Sequence, residues 1–244
     1  MHSRDTYYFT ARDLQTTRKI NPFLRGIGGH AVVPHGDLLY SAGSLRSITQ
    51  VREPVSRAAS QYRFWVSRMK LNMSWEAFLK HPASQNFQVK KIAGCEDLDL
   101  AKENISKRFM LAGTVSQFDE FLVLLAKKLR MPLDLFTYSK RNVDTGSQHV
   151  QMPDSFFDQL RERNRLDQEL YEWIETKLLV NYVTEYSGNF SSDLEEFRLL
   201  QQHAASPRTR PVIDSIYRNV YLKPLSGMIR VSNGLPYHGS YSIE

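Results

Sequence analysis

Residues 47–65, SITQVREPVSRAASQYRFW, change from one hydrophobic pattern to another within a single turn. The first part, SITQV, is a short β-type run. After Arg-Glu-Pro, apolar residues recur with helical spacing at Val55, Ala59, Tyr62, Val66 and Met69. Proline is well accepted in the first turn of a helix. The stretch therefore predicts a strand, a tight turn and a helix in direct succession.

The same alternation continues along the chain. Other β-type runs are HAVV and RFMLAGT, with a short extended piece over 134–143. Helices are predicted over about 75–80, 97–108, 116–130, 154–163 and 167–181. Ser116 with Asp119 resembles a capping box, and Asp167 is placed to cap the last of these helices. Strands alternating with helices predict an α/β layer fold.

Two domains are predicted from where this alternation weakens. Residues 1–186 form the main domain, and residues 187–244 form a partly irregular extension with a short helical piece near 193–203.

Composition narrows the classes of protein. The chain has 244 residues and a net charge of +6, which favours anionic partners. Its basic residues are spread out and not interleaved with aromatics, so nucleic acid is not expected. The single cysteine, Cys95, excludes an internal disulfide or a multi-cysteine zinc site, and we expect it to be a buried small residue. Glycosylation sequons at Asn72, Asn104 and Asn189 hint at a secretory lumen.

Targeting signals are not expected in this chain. No apolar run approaches the ~18 residues of a membrane span, and the polar N-terminus does not resemble a signal peptide.

The strand-to-helix junction has the chemistry of an anion site. A helix N-terminus offers backbone N–H groups and the positive end of a dipole, both of which favour a phosphate. Arg52 adds a planar fork of donors, and Ser60 adds a neutral hydroxyl. A solvated or carboxylate-paired arginine is the alternative interpretation.

The stretch QVREPVSRAASQYRFW resembles a motif of the sulfotransferases that use PAPS, adenosine 3′-phosphate 5′-phosphosulfate. In that family, Arg-[Asp/Glu/Asn]-Pro is followed by a serine eight residues after the arginine, and the two side chains hold the 3′-phosphate of the nucleotide. The resemblance implies this role for Arg52 and Ser60.

Further segments extend the resemblance over about residues 30–181. NFQVKKIAG and the following AKEN helix are similar to a segment of membrane-associated carbohydrate sulfotransferases, and RNRLDQELYEWI is similar to their Leu-Asp-x-Glu-Leu-Tyr helix. The pattern is nearest to uronyl and heparan sulfate 2-O-sulfotransferases. It implies a P-loop-like fold with a central, mainly parallel sheet flanked by helices, PAPS as the donor, no metal, a glycan acceptor and the Golgi lumen.

The resemblance also implies catalytic and cofactor-binding residues. His30, in GGH, corresponds to the family's catalytic base, with His35 as the alternative. Lys140 and Arg141 lie where the family has a basic segment over the nucleotide. Lys90 stands where the family has an arginine, so bidentate binding is lost there.

One family signature is not found before His30. The loop of the type Pro-Lys-[Thr/Ser]-[Gly/Ala]-[Ser/Thr], which holds the 5′-phosphosulfate, has no counterpart in residues 1–29. We therefore expect either an N-terminally shortened sulfotransferase or an inactive member. The inactive member would bind an anionic glycan or a protein partner, so enzymatic activity stays open.

Overall fold

The structure is a computed structural model that describes residues 8–22, 26–29, 32–38, 45–138, 152–203, 220 and 223–232. The chain divides into two compact units: Met1–Leu45 with Ala205–Glu244, and Arg46–Ala204. The fold is α/β, mostly helical, and the described residues form one two-stranded parallel sheet.

The helices and strands follow in chain order. They are α1 (Ala11–Ile20), β1 (Ser47–Val51), α2 (Pro54–Arg63), α3 (Trp75–Leu79), α4 (Phe87–Ala93), α5 (Leu98–Arg108), β2 (Phe109–Thr114), α6 (Phe118–Leu129), α7 (Asp154–Arg163), α8 (Arg165–Trp173), α9 (Leu179–Thr184), α10 (Phe190–His203) and α11 (Lys223–Ser232). Single π-helical turns, Phe64–Arg68 and Ile174–Leu178, prolong α2 and join α8 to α9.

The parallel sheet is built by a crossover that carries α2 to α5 between its strands. Ile48 pairs with Leu111 and Val51 with Thr114, with an irregularity in register next to Ser47. Parallel strands need a long connection of this kind because the chain must return to the same end of the sheet. Both strands therefore end at one edge, followed by Arg52 on one side and Val115 on the other.

Two hydrophobic clusters support the unit Arg46–Ala204. One surrounds the sheet and includes Leu111 and Ile174, together with Phe197 from α10. The other is aromatic and joins Tyr62, Trp65, Phe78 and Phe156 from α2 and the turn after it, α3 and α7. Because Phe197 is fully buried in the first cluster, α10 belongs to the same compact unit as the strands.

Most predicted elements are confirmed. The strands SITQV and RFMLAGT correspond to β1 and β2, and the helix beginning at Pro54 is α2. The helices predicted over 75–80, 97–108, 116–130, 154–163 and 167–181 are also found, with shifted ends. The domain limits 1–186 and 187–244 stay predictions, while the compact units divide the chain differently.

Several local predictions are wrong. The described part of HAVV, residues 32–33, is not a strand. In the predicted extended piece 134–143, residues 134–136 lie in a 3-10 turn, Leu133–Phe136, and residues 139–143 lie outside the described part of the chain. Cys95 is exposed, because it follows the glycine that ends α4. Asn104 is buried and donates to the Ile92 carbonyl over 3.0 Å, so its sequon is inaccessible to a glycan.

Both predicted helix caps are wrong for the same reason, which is that the polar side chains bond to distant partners. Ser116 does not cap α6; its hydroxyl contacts Tyr171 and Glu175 instead. Asp167 lies inside the first turn of α8 and bonds to the start of α4. Neither contact can be read from local sequence.

Candidate anion site at the carboxyl end of the sheet

The main chain of Arg52 is held in place by Gln88. Arg52 N donates to Gln88 Oε1 over 2.8 Å, and Gln88 Nε2 donates to Arg52 O over 2.8 Å. This amide pair replaces the ladder hydrogen bonds that β1 no longer makes beyond Val51. It fixes the direction in which the Arg52 side chain leaves the sheet.

The Arg52 side chain is exposed and donates to Ser56. The distance from Nη2 to Ser56 Oγ is 2.8 Å. Ser60 is half-buried one turn further along α2, and residues four apart share a helix face. The exposed guanidinium of Arg52 and the hydroxyls of Ser56 and Ser60 therefore form a row of hydrogen-bond donors, called the donor row below. Sequence reasoning identified Arg52 and Ser60 and missed Ser56, although Ser56 lies four residues from each of them.

The N-terminus of α2 differs from expectation, because Glu53 occupies it. Glu53 Oε1 accepts from Val55 N over 2.9 Å, and Oε2 accepts from Ser56 N over 2.6 Å. Two N–H groups that were expected to be open to a phosphate are thus already bonded to a carboxylate. An anion at this junction would rely on the side chains of the donor row.

Gln88 is in turn held by Asp167, which is fully buried. Asp167 Oδ2 accepts from Gln88 N over 3.0 Å, and Oδ1 accepts from Val89 N over 2.7 Å. Burial raises the pKa of Asp167, and these two hydrogen bonds oppose the rise. The carboxylate thus serves as the cap of α4 from a helix about 80 residues later in the chain.

Arg57 balances the charge of Asp167. Burial lowers the pKa of Arg57 to about 10, and the charge of Asp167 opposes this change. The guanidinium lies 4.7 Å from the centre of the Phe87 ring and donates to Ala83 O over 2.8 Å. The position of a cation that lies over an aromatic ring and bonds to a carbonyl is restricted. Arg57 therefore stabilises the turn between β1 and α2 from its buried side.

Asn86 and Asn164 add a second connection between the same two regions. Asn86 N donates to Asn164 Oδ1 over 3.1 Å, and Leu166 N donates to Asn86 Oδ1 over 3.1 Å. Asn86 adopts a left-handed φ of 40°, which asparagine tolerates better than most residues. The start of α4 is therefore tied to α8 by two asparagines as well as by Asp167.

A polar cluster lies after β2 at the same edge of the sheet. Ser116 Oγ is 2.7 Å from Tyr171 Oη, and both hydroxyls donate to Glu175 Oε1, over 2.8 and 3.0 Å. Burial raises the pKa of Tyr171; the Ser116 contact opposes this, while Glu175 and the charge of Glu53 add to it. Sequence reasoning missed this cluster. The sequence feature that could have indicated the cluster is the position of Ser116 just after a parallel strand, because ligand-binding groups are often found at the carboxyl ends of such strands.

The other predicted catalytic and cofactor-binding residues belong to a different compact unit from the donor row or lie outside the described part of the chain. His30, Lys140 and Arg141 lie outside the described residues. His35 belongs to the unit Met1–Leu45, where its ring contacts Tyr8 edge-on with centroids 5.1 Å apart. Arg52 and Ser60 lie in the other unit.

Lys90 is engaged in an ion pair. Its ammonium lies 3.4 Å from Glu96 Oε2. Hydrogen bonds from Asn86 and Gln85 and the charge of Lys90 together lower the pKa of Glu96, against the opposing effect of burial. Lys90 therefore helps to fix the turn after α4.

In the part of the chain that the structure describes, no group of three or more His, Cys, Asp or Glu residues could hold a metal ion. None of the helices described is long and apolar enough to cross a membrane.

Comparisons of the chain with models of protein families, with curated proteins and with solved structures found no match in any of the three.

Proposed function

We propose that this protein binds PAPS and transfers its sulfo group to a hydroxyl of a carbohydrate acceptor. The observation that carries the proposal is the convergence of three sequence segments. Each resembles a sulfotransferase segment independently, and hydrogen bonds join them: Arg52 to Gln88, and Gln88 to Asp167. Their meeting at the end of β1 is what supports the proposal.

The donor row has the chemistry needed for the 3′-phosphate. An arginine fork and hydroxyl donors are well suited to phosphate oxygens, and the exposed Arg52 can accept such a partner without losing a buried contact. Ser56 is bonded to Arg52 before any ligand arrives. The proposed pocket uses Arg52, Ser56 and Ser60, together with Lys140 and Arg141, to which the family resemblance gives a role in nucleotide binding.

The reaction follows from the chemistry of the donor. A sugar oxygen attacks sulfur, the bond from sulfur to the bridging phosphate oxygen breaks, and adenosine 3′,5′-bisphosphate (PAP) leaves. The hydroxyl proton passes to a base, for which His30 is the proposed residue and His35 the alternative. No metal takes part in this scheme. We propose the Golgi lumen as the compartment.

A second candidate function is an inactive member of the same family. It is favoured by Glu53, whose carboxylate already accepts from two N–H groups of α2 that a phosphate would use. Such a protein would bind an anionic glycan or a protein partner without transferring sulfate.

Nucleotide binding is tested by thermal unfolding of the full chain with millimolar PAP. A ligand that binds only the folded state raises the melting temperature, by several degrees when present at about 100 times its Kd. We expect Arg52→Ala to abolish the shift and Ser60→Ala to reduce it. Arg161→Ala, which removes an exposed arginine of α7, is the matched control and should leave the shift intact.

Two further comparisons decide the outcome. Adenosine 5′-phosphate lacks the 3′-phosphate and should give a smaller shift than PAP. A folded wild-type protein with no response to PAP would contradict the proposal. Labelled sulfate on a desulfated glycan, lost in His30→Ala, would identify the enzyme, whereas PAP binding without transfer would identify the inactive member.

A further inference from the structure

A second cationic feature lies at the other end of the strands. It is a cleft of about 550 Å³ lined by Arg46, Met110, Lys128, Leu129 and Arg130. Arg46 immediately precedes β1, Met110 is near the start of β2, and the others belong to the end of α6. At about 3.3 Å per residue, Arg46 and Arg52 are roughly 20 Å apart along the strand, so this cleft is separate from the donor row.

The positive charges of the cleft form no ion pair with the carboxylates that the structure describes. In the part of the chain that the structure describes, the ion pairs join other residues, and none involves Arg46, Lys128 or Arg130. No acidic side chain is among the described residues that line the cleft. Three like charges around one concave surface raise the local concentration of anions.

An aromatic ring holds the Lys128 side chain, and the backbone of Arg130 is fixed at the end of α6. The Lys128 ammonium lies 5.1 Å from the centre of the Tyr182 ring, which restricts a flexible side chain. Arg130 ends α6 with a left-handed φ of 55°, and its N–H bonds to the Lys127 carbonyl over 3.1 Å. Glycine is the usual residue at such a helix end, since a Cβ is disfavoured there.

The conformation of Arg130 is a second and independent observation. An arginine occupies a position where glycine would be less strained, and this position lies at the rim of a cationic cleft. Strained backbone clusters at functional sites, and Arg130 combines such strain with a place in the cleft lining.

The lining indicates the kind of ligand. Arginine forks and a lysine match sulfate or phosphate oxygens. Met110 and Leu129 offer an apolar surface that suits the C–H face of a saturated ring, and the described lining residues include no aromatic ring that could stack on a nucleobase. The volume lies within the usual range for small-ligand sites. We propose that this cleft binds a small saturated-ring ligand carrying several sulfate or phosphate esters, independently of the nucleotide.

The test is calorimetric titration of the full chain with sucrose octasulfate and, separately, with inositol hexakisphosphate. Arg46→Ala, Lys128→Ala and Arg130→Gly should each weaken binding about tenfold, because each removes a charge-assisted contact. Arg130→Gly should not lower the melting temperature, since glycine suits the left-handed position. This variant therefore separates loss of binding from loss of folding.

Lys127→Ala is the matched control. Lys127 is the neighbouring exposed lysine of α6, and its ammonium lies 5.0 Å from the Tyr186 ring in a contact like that of Lys128, but it does not line the cleft. Equal weakening by Lys127→Ala and Lys128→Ala would indicate diffuse surface charge and overturn the proposal, as would unchanged binding in all three cleft variants.

The ligands and Arg52→Ala supply the remaining outcomes. Preference for the octasulfate identifies sulfate esters as the ligand group, preference for the hexakisphosphate identifies phosphate esters, and binding of neither overturns the proposal. Arg52→Ala should leave binding at the cleft unchanged. If Arg52→Ala abolished it, the two sites would be one, and the inference of a separate site would be wrong.

Discussion

Asp167 shows how one side chain can determine the position of another element. Its two carboxylate oxygens bond to Gln88 N and Val89 N, and the Gln88 side chain then bonds in both directions to Arg52. A fully buried carboxylate is costly unless such partners are present. The geometry of the exposed arginine therefore depends on a residue that no ligand would touch.

Asp167→Asn should lower the free energy of unfolding by about 2 kcal/mol. Asparagine keeps one acceptor but turns an amide donor toward the second N–H, and it leaves Arg57 without its countercharge. Urea unfolding measures the effect. Asp158→Asn, at an exposed ion pair of α7, is the control and should change stability by less than about 0.5 kcal/mol. Equal effects of the two substitutions would contradict this account.

At the scale of elements, the close approach of α6 to β2 positions the end of the sheet. Six successive residues of α6, from Phe121 to Ala126, are buried. Gly113 of β2 lies under Phe121, and a Cβ at Gly113 would come within 2.4 Å of Phe121 Cδ2. The glycine is required here because the aromatic ring occupies the space where a side chain would be.

Gly113→Ala should therefore destabilise the fold by about 2 kcal/mol through overpacking. Phe121→Leu should lower the free energy of unfolding less in the Gly113→Ala variant than in the wild type, because the smaller side chain relieves the clash. A double-mutant cycle by thermal unfolding gives this coupling. Gly36→Ala, where the nearest atom would be 3.7 Å away, should be close to neutral. Additive effects at Gly113 and Phe121 would rule out the clash.

At the scale of the whole molecule, positive charge marks both ends of the parallel strands in the unit Arg46–Ala204. Arg52 follows the carboxyl end of β1, while Arg46, Lys128 and Arg130 surround the amino end. These two cationic positions have different neighbours. Arg52 lies beside a network of amides and carboxylates, whereas Arg46, Lys128 and Arg130 lie beside the apolar side chains of Met110 and Leu129.

Tyrosines make the stability of the fold sensitive to alkali. Burial raises the pKa of Tyr138 to about 12, and its hydrogen bond to Asp119 adds to the rise. A folded-state pKa above that of the unfolded chain contributes stability that is present below the unfolded value, near 10, and is lost as the pH rises through the folded value. Tyr138→Phe should therefore lose less stability than the wild type between pH 10 and 12, as measured by urea unfolding. An identical loss in both proteins would contradict the assignment.

The sequence predicted features of the site that depend on neighbouring residues and missed those that depend on residues far apart in the chain. Arg52 and Ser60 could be named as candidate site residues because the switch in periodicity and the motif both lie within one short stretch. Ser116 and Asp167 were misassigned as local caps, because a capping pattern in sequence gives no information about a partner more than 50 residues away. Glu53 was missed as the occupant of the α2 terminus, although it directly precedes Pro54.

The sequence by itself determined the order of the strands and helices and the position of the arginine at a strand-to-helix turn, since periodicity, proline and local spacing are properties of neighbouring residues. Only the tertiary structure decided that Gln88 holds Arg52, that Asp167 caps α4, and that Arg46, Lys128 and Arg130 share a cleft. These contacts arise when the crossover brings distant segments to the same end of a parallel sheet, and no local pattern encodes that meeting.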